Sequence, residues 1–273
     1  MMQNFYNKTF PWKMYATILG DTLHRNFSFE IGPYHQQWIK FKTLDEAKAY
    51  MGNFFYQFVD ENGKYACPFM FPDIWALKAF VVAKLPKTIH LGPIYVDGRN
   101  GRAWERKHQV YRAPFVCDID IDKEHRAETV NCPCGSVKRC CDICWTQWLL
   151  PRLESAIAVL RSFNFSKLLT IYSGRRGAHV WVMDDVTWDL SSAERLRIIN
   201  CIIDAGLLPS GIDAGVSTQK GHFCKAPLFP HAQTGFITCP ISSEWRPSMA
   251  KHWKDVSPAE MQSFASQILK TIE

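Results

Sequence analysis

Residues 172–181 read Tyr-Ser-Gly-Arg-Arg-Gly-Ala-His-Val-Trp, a polar turn with two glycines set between apolar segments. The flanking segments Leu168–Tyr172 and Ala178–Met183 are rich in aliphatic and aromatic residues and predict two strands joined by this turn. Upstream, residues 114–122 alternate apolar and acidic side chains, which is typical of a strand with one buried face. These three segments predict a sheet in the middle of the chain.

Helices are predicted on both sides of these strands. Capping-box patterns, in which a serine is followed three residues later by glutamate, open helices over Ser191–Ala205 and Ser257–Ile272. A third helix is predicted over Trp145–Phe163, with a kink or restart at its proline. Two further strands, Phe223–Phe229 and Phe236–Ile241, are expected to pair with each other. The order of strands and helices predicts an α+β fold.

Length and composition favour one catalytic domain over residues 1–273. The 273 residues are 47% hydrophobic, and the sequence shows no internal repeat and no linker-like tract. We expect an N-terminal α/β part over residues 1–110, a catalytic sheet over 111–245 and a C-terminal helical segment over 246–273. No apolar run is long enough to cross a bilayer, and the N-terminus lacks a signal-peptide pattern.

Charge balance alone does not identify a partner. The formal net charge of +6 favours a polyanion, but a modest basic excess is more often a solubility feature. Residues 104–112, Trp-Glu-Arg-Lys-His-Gln-Val-Tyr-Arg, combine basic and aromatic side chains that suit a single-stranded template. An ordinary solvated loop is the simpler explanation for them.

Two aspartates on the predicted strand indicate a site for hard cations. Side chains on a strand alternate between its faces, so Asp118 and Asp120 share one face while Cys117 and Ile119 share the other. Neighbouring carboxylates repel each other unless a cation screens them, and such pairs therefore mark Mg²⁺ or Mn²⁺ sites. A solvated strand face is the alternative for an isolated pair. Asp213 supplies a third carboxylate.

Basic side chains in and after the glycine turn suit a nucleoside triphosphate. Arg175 and Arg176 present planar guanidinium groups that match phosphate oxygens. The two glycines of the turn allow a ligand to approach the backbone closely. An exposed basic hairpin tip is the alternative explanation. Further basic groups follow in the same order along the chain, at His179, Lys225 and His231.

A cysteine cluster predicts a structural zinc ion. Five of the ten cysteines crowd into one short stretch, and tetrahedral zinc takes four thiolates. The spacing of Cys141 and Cys144 is typical of a chelating pair, and Cys132 and Cys134 supply the other two ligands. Cys140 is an alternative to Cys141. Four thiolates leave no open position for water, so the ion is expected to be structural. Free thiols elsewhere suit an intracellular, reducing compartment, either nucleus or cytoplasm.

The order of these motifs resembles the catalytic small subunit of DNA primase, of the archaeal and eukaryotic primase (primase-polymerase) superfamily. The most specific part of the resemblance is the Ser-Gly-Arg-Arg-Gly-x-His motif. The short interval from His179 to Asp213 indicates a minimal form that lacks the helical insertion of eukaryotic small subunits. The resemblance covers most of residues 5–245 and is carried by residues 10–12, 25–29, 89–95, 115–120, 144–145, 172–181 and 213–241.

The resemblance implies a fold, a site and partners. The implied fold is an RRM-like sheet with flanking helices and a small zinc-binding lobe at residues 132–144. The implied ligands of two Mg²⁺ or Mn²⁺ ions are Asp118, Asp120 and Asp213. The implied triphosphate-binding groups are Ser173, Arg175, Arg176, His179, Lys225 and His231. The implied partners are a single-stranded DNA template, nucleoside triphosphates and a primase large subunit.

The activity that the resemblance implies is DNA-directed synthesis of short RNA, or mixed RNA/DNA, primers in replication by two-metal nucleotidyl transfer. A primase-polymerase that mainly extends primers in repair or damage tolerance is the alternative. A third reading is a zinc-containing nucleic-acid-binding module without catalysis. Clustered carboxylates argue against that module, because they would repel the phosphates it binds.

Overall fold

The structure is a computed structural model that describes residues 1–20, 25–31, 34–36, 38–41, 43, 45–46, 58–59, 65–68, 70–95, 111–121, 139–206, 211–219 and 222–273. Two predictions fall mainly outside these residues. Cys132 and Cys134 of the predicted zinc lobe are not among them, and neither are residues 104–110 of the basic and aromatic stretch.

The helices are short at the N-terminus and longer in the second half of the chain. In chain order they are α1 (Met2–Asn4), α2 (Trp12–Leu19), α3 (Ile74–Lys84), α4 (Asp142–Cys144), α5 (Leu150–Ser162), α6 (Ser192–Asp204), α7 (Ala214–Thr218) and α8 (Pro258–Ile272). π-helical turns cover Phe5–Thr9 and Trp145–Leu149, and 3-10 turns cover Asp185–Asp189 and Pro247–Met249. In the described part, no helix combines the length and apolarity needed to span a membrane.

The strands, in chain order, are β1 (Arg25–Ile31), β2 (Tyr34–Gln36), β3 (Trp38–Phe41), β4 (Phe58–Val59), β5 (Tyr65–Pro68), β6 (Thr88–Tyr95), β7 (Tyr111–Arg112), β8 (Phe115–Asp120), β9 (Leu168–Tyr172), β10 (Gly177–Val182) and β11 (Cys224–Lys225). Within the described residues they form three sheets. The first has the order β11-β6-β1-β2, with β7 also paired to β6; the second is β8-β10-β9; the third is β3-β5-β4. Every pairing is antiparallel.

The second sheet confirms the strands predicted around the glycine turn. β9 has the predicted bounds, and β10 begins and ends one residue earlier than expected. β10 lies between β8 and β9, and all six of its residues are buried. α5 packs against β10 and α8 packs against β9. A strand that is buried on both faces reads as a continuous apolar run, and this explains why Val180, Trp181 and Val182 follow one another.

The predicted helices of the second half are also confirmed. Ser191 caps α6 and Ser257 caps α8, and in each case the expected glutamate completes a capping box. The restart expected at the proline takes the form of a π-helical turn, Trp145–Leu149, which runs directly into α5. Proline is tolerated there because the first turn of a helix does not use its N–H groups internally.

The predicted pairing of Phe223–Phe229 with Phe236–Ile241 is only partly correct. Cys224 and Lys225 form β11 and pair with β6 in the first sheet. The hairpin with the later segment begins further along, where the Leu228 N–H donates to the Thr238 carbonyl at 2.8 Å. The ring of Phe223 lies against Gly92 of β6, where a side chain would leave no room for it. This long-range packing directs the first residues of the segment to another sheet.

A buried guanidinium fixes the chain ahead of β8. Arg195, on α6, is 1% exposed. It donates to the carbonyl oxygens of Ala113 at 2.6 Å, Pro114 at 3.0 Å and Leu190 at 3.2 Å. A buried charge is tolerated when hydrogen bonds replace its hydration. Arg195 therefore ties α6 to the start of the strand that carries the aspartates.

We expect the substitution Arg195→Ala to lower the free energy of unfolding by about 3 kcal/mol, because it leaves buried carbonyl oxygens without donors. Arg197 lies two residues further along the same helix and is exposed. The control Arg197→Ala is expected to change stability by less than about 0.5 kcal/mol. Urea unfolding of both variants measures the difference. Equal losses of stability would contradict the anchoring role of Arg195.

Candidate active site

The second sheet places two aspartates and a histidine on one face. In the register of β8 with β10, His179 lies opposite Asp118 and Gly177 lies opposite Asp120. Directly opposed residues of an antiparallel pair project to the same side. The His179 Nε2 is 3.3 Å from Oδ1 of Asp118. Both aspartates are half-buried, while Cys117 and Ile119 between and beside them are fully buried. The predicted alternation of this strand is confirmed.

Glycine is required at position 177 by the closeness of Asp120. A Cβ atom there would overlap both Oδ1 of Asp120 and the carbonyl oxygen of Ile119. The Gly177 N–H donates to the Ser173 Oγ at 3.2 Å, and the Ser173 N–H donates to the Gly177 carbonyl at 3.0 Å. These two bonds close the turn between β9 and β10. The missing side chain gives the Asp120 carboxylate its space beside that turn.

The two carboxylates are energetically disfavoured as a pair of charges. Burial raises the pKa of Asp118 to about 7; Lys225 partly offsets the rise and Asp213 adds to it. Burial, and then the charge of Asp118, raise the pKa of Asp120 to about 6. Each carboxylate therefore opposes ionisation of its neighbour. A hard cation in contact with both would remove this repulsion and favour the ionised pair.

His179 is neutral in this environment. Burial lowers its pKa to about 3, and the nearby Lys225 contributes in the same direction, against the opposing effects of Asp120 and Asp213. Its Nε2 atom lies next to the Asp118 carboxylate, at 3.3 Å from Oδ1. The Nδ1 atom is buried and has no hydrogen-bond partner among the described residues. A neutral imidazole contacts the carboxylate without adding charge to the site.

Asp213 lies directly beside the acidic strand. Its backbone N–H donates to the Asp118 carbonyl at 3.0 Å, and its carboxylate accepts the N–H of Val216 at 3.1 Å as the N-cap of α7. Ser217, also on α7, accepts the backbone N–H of Asp118 at 3.1 Å. Across the described ranges, no three histidine, cysteine or acidic side chains converge as a metal-ligand set. The three-carboxylate metal site therefore stays a prediction.

Lys225 brings a positive charge to the same site from the first sheet. Its Nζ donates to the carbonyl oxygen of Ser173 at 3.4 Å. Burial lowers the pKa of Lys225, while the neighbouring Asp118 and Asp120 act in the opposite direction. Lys225 of the first sheet therefore lies beside both the acidic strand and the glycine turn of the second sheet. Lys225 is thus close enough to both aspartates to interact with them electrostatically, while its role in triphosphate binding stays a prediction.

The two arginines of the turn have fixed backbones. The Arg175 carbonyl accepts the Tyr172 hydroxyl at 3.0 Å and the Cys140 N–H at 2.8 Å. The Arg176 carbonyl accepts the Ile121 N–H at 3.4 Å. Both side chains are half-buried, and neither Nε atom has a hydrogen-bond partner within the described segments. Guanidinium donors without protein partners are suited to an anionic ligand.

His231 lies on a hairpin that packs against the glycine turn. Its N–H donates to the Phe236 carbonyl at 2.8 Å, and its Nδ1 accepts the Gln233 N–H at 3.1 Å. The ring proton is therefore on Nε2. Burial lowers the pKa of His231 to about 3, and Lys225 and other basic neighbours act in the same direction. The Thr234 hydroxyl donates to the Gly174 carbonyl at 2.6 Å and joins the hairpin to the turn.

Only part of the predicted zinc site lies in the described residues. The Cys144 N–H donates to Sγ of Cys141 at 3.5 Å, and the Cys140 thiol donates to the carbonyl of Cys141 at 3.3 Å. An N–H directed at sulfur is a common companion of a thiolate ligand. Cys132 and Cys134 lie outside the described residues, so the complete ligand set stays a prediction.

Hydroxyl groups that hold the site together were not anticipated from the sequence. Ser217 bonds the backbone of Asp118, Tyr172 bonds the backbone of Arg175, and Thr234 bonds the backbone of Gly174. The role of Tyr172 could have been suspected from the sequence, because Tyr172 directly precedes the glycine turn. No local pattern marks Ser217 or Thr234, because their partners lie far away along the chain.

The chain is similar to known proteins in the region of the acidic strand and the glycine turn. A family model described as DNA primase small subunit matches residues 118–205, which include both aspartates of β8 and the glycine turn. The DNA primase small subunit of Schizosaccharomyces pombe is 25% identical over 245 residues, covering 84% of this chain and 44% of that protein. The chain is similar to DNA primase small subunits.

Two further matches extend the comparison. The DNA primase small subunit of Saccharomyces cerevisiae is 25% identical over 172 residues, covering 62% of this chain and 39% of that protein. The chain thus spans less than half the length of these primase relatives. The polymerase domain of Mycobacterium tuberculosis ligase D, solved in complex with DNA, matches with a TM-score of 0.55 and 12% identity, covering 96% of this chain and 88% of that one. This likeness supports the mixed α/β fold. The RRM-like sheet and the zinc lobe stay predictions.

Asp118→Asn is expected to stabilise this protein in the absence of divalent cations. The folded protein holds a proton on Asp118 up to a pKa of about 7, against an ordinary value of 3.8, so wild-type stability falls as pH rises between these values. Asparagine has nearly the same size and shape and removes the charge. We expect the variant to be more stable than wild type by about 2 kcal/mol at pH about 8, and by less at pH about 5.

Urea unfolding in the presence of a chelator measures this difference. Asp204→Asn, at an exposed position on α6, is the matched control and is expected to show no such dependence on pH. Added Mg²⁺ should stabilise wild type more than the Asp118 variant, because the charged pair binds the cation. A variant less stable than wild type at both pH values would contradict the repulsion inferred for this site.

Proposed function

We propose that this chain is the catalytic part of a primase that synthesises short RNA, or mixed RNA/DNA, primers on single-stranded DNA. One observation carries the proposal: a repelling carboxylate pair, Asp118 and Asp120, lies beside the cations Arg175 and Lys225. Binding a nucleic acid needs no buried carboxylates, which would repel its phosphates. A site that holds cations and a triphosphate together needs both kinds of group.

The residues that would hold divalent cations are Asp118 and Asp120, with Asp213 as the third ligand. They fit this role chemically, because the first two share a strand face and their repulsion calls for a positive charge between them. Carboxylate oxygens are the ligands preferred by Mg²⁺ and Mn²⁺. Such ions, when bound, stabilise the attacking and leaving oxygens of an in-line displacement at phosphorus.

The other site residues bind and orient the nucleotide. Arg175, Arg176 and Lys225 offset the charge of the triphosphate and hold it in line with the incoming hydroxyl group. His231 presents its Nε2 proton to a phosphate oxygen. Neutral His179 keeps Asp118 in one orientation. Ser173 holds the turn in shape through its two bonds to Gly177, so the cations are in place before the substrate arrives.

Primer synthesis should depend on the acidic strand and on the turn. We expect Asp120→Asn to reduce nucleotide incorporation by about a thousandfold or more, because a cation ligand is lost. Arg175→Ala should reduce kcat/KM for the nucleotide by about a hundredfold, because transition-state charge loses its partner. Arg161→Ala, an exposed arginine on α5, is the control and should match wild type. The assay follows labelled ribo- and deoxynucleotides on single-stranded DNA with Mg²⁺ or Mn²⁺.

The same assay separates the alternatives. Products without an added primer establish a primase, and the sugar of the incorporated nucleotide identifies RNA, mixed or DNA primers. Products only with an added primer, and with deoxynucleotides preferred, select the primase-polymerase that extends primers in repair. Incorporation that survives both Asp120→Asn and Asp118→Asn refutes the proposal. Tight DNA binding without triphosphate binding selects the binding module.

We also propose a primase large subunit as the protein partner and DNA replication as the setting. The similarity to DNA primase small subunits supports both proposals. Co-purification and a gain of primer initiation on adding a large subunit would test the partner. Unchanged initiation at saturating large subunit would count against it.

A structural zinc ion is proposed next to the glycine turn. Cys141 and Cys144 fit as one chelating pair, because the Cys144 N–H already points at the sulfur of Cys141. Cys132 and Cys134 are the proposed second pair. We expect about one zinc per chain, released by Cys141→Ser. Cys201→Ser, at an exposed cysteine on α6, is the control and should retain zinc. Equal zinc content in the two variants would exclude Cys141 as a ligand.

A further inference from the structure

Five side chains next to the proposed active site form a continuous row of contacts between rings and cations, which we call the aromatic ladder. The Arg139 guanidinium lies 4.1 Å from the ring centroid of Phe236. The ring of His252 meets Phe236 edge-on at 5.7 Å, and the ring of Trp253 follows at 5.6 Å. The Lys254 ammonium ends the row, 5.6 Å from the Trp253 ring. The ladder therefore has a cation at each end and three rings between them.

The ladder is attached to the triphosphate-binding turn through the backbone. The residue after Arg139 donates its N–H to the Arg175 carbonyl at 2.8 Å. Phe236 ends the hairpin that begins at His231 and that is bonded to Gly174 through Thr234. At the other end, the Trp253 N–H donates to the Gly235 carbonyl at 2.9 Å. The ladder is thus joined by backbone hydrogen bonds to the same hairpin and turn that frame the proposed nucleotide site.

The ladder side chains are accessible. Arg139, Phe236, His252 and Trp253 are half-buried, and Lys254 is exposed. Within the described ranges, neither Arg139 nor Lys254 has a carboxylate within salt-bridge distance. Packing against Phe5 explains why one side of Trp253 is covered. It does not explain why two cations, neither of them in an ion pair with a described residue, flank three half-exposed rings.

The chemistry of the ladder matches single-stranded nucleic acid. Aromatic side chains accept the faces of unpaired bases, and lysine or arginine beside them neutralises the phosphates that link those bases. Each base has an aromatic face, so this mode of binding is tolerant of sequence. A double helix does not offer its base faces, and a folded protein partner would call for acidic groups that meet both cations. Charge and ring content together favour a single strand.

We propose that the aromatic ladder binds single-stranded DNA and leads it to the nucleotide site. The assignment of that strand to a polymerising reaction rests on the function proposed above, whereas DNA binding by the ladder does not. A strand on the ladder would approach the glycine turn from the side of Arg139. It would then lie next to the triphosphate-binding groups, where a template or primer strand has to be.

The test uses Trp253 and Lys254, the two members at the opposite end of the ladder from Arg139. We expect Lys254→Glu and Trp253→Leu each to weaken binding of a fluorescein-labelled thymidine oligonucleotide of about 15 nucleotides by about tenfold. Both should leave the affinity for a nucleoside triphosphate within about twofold of wild type. Fluorescence anisotropy without nucleotide, at about 50 and about 200 mM salt, gives the first quantity. Lys254→Glu should also flatten the salt dependence.

Matched controls make the result specific. Lys270→Glu introduces the same charge change at the far end of α8 and should bind the oligonucleotide within about twofold of wild type. Thermal unfolding confirms that each variant is folded, and Lys254→Glu at its exposed position serves if Trp253→Leu is unstable. Equal losses for Lys254→Glu and Lys270→Glu, or no loss in either ladder variant, would overturn the proposal.

Failure of the ladder and failure of the proposed activity give different results. If the protein makes no primers but Lys254→Glu weakens its DNA binding, the ladder proposal stands and the primase proposal is wrong. If the protein makes aspartate-dependent products but Lys254→Glu binds DNA as well as wild type does, the primase proposal stands and the ladder proposal is wrong. Wild type that does not bind the oligonucleotide at low salt also rejects it.

Discussion

The register between β8 and β10 is the constraint on which the candidate site depends. It sets Asp118 against His179 and Asp120 against Gly177. A slip of one residue would turn every side chain of β8 to the other face, sending the carboxylates into the core and Cys117 and Ile119 to the site. Burial of β10 on both faces prevents such a slip. The chemistry of the acidic pair is therefore a consequence of how the middle strand is packed.

The site also shows how a protein holds charges that oppose its own folding. Burial and mutual repulsion act against ionisation of both aspartates, and burial acts against protonation of His179. The charged groups stay in these unfavourable positions because the rest of the structure holds them there. The surrounding strands, the Arg195 anchor and the hydrogen bonds of the Ser217 and Tyr172 hydroxyls fix the backbone around them. Strongly shifted groups gathered at one place are typical of functional sites.

Local patterns explain what could be predicted from the sequence. The capping boxes at Ser191 and Ser257 and the alternation of β8 depend on neighbours a few residues apart, and the structure confirms them. The pairing of Cys224 with β6 could not be anticipated, because it depends on Phe223 meeting a glycine far away in the chain. The aromatic ladder could not be predicted for the same reason, because Arg139 and Phe236 are adjacent only in the folded chain. The carboxylates and basic groups were recognisable as residue types, whereas the hydroxyls that position them were not.

The meeting of Lys225 with Ser173 has a consequence for how the protein acquires its site. Lys225 belongs to the first sheet, and Ser173 belongs to the turn of the second. A contact between residues so distant in the chain requires closure of a long loop, which has an entropic cost. Domains that depend on such contacts fold more slowly. Neither sheet alone contains both the acidic pair and this lysine. A nascent chain therefore has no assembled site until the segment around residue 225 has been synthesised and has docked.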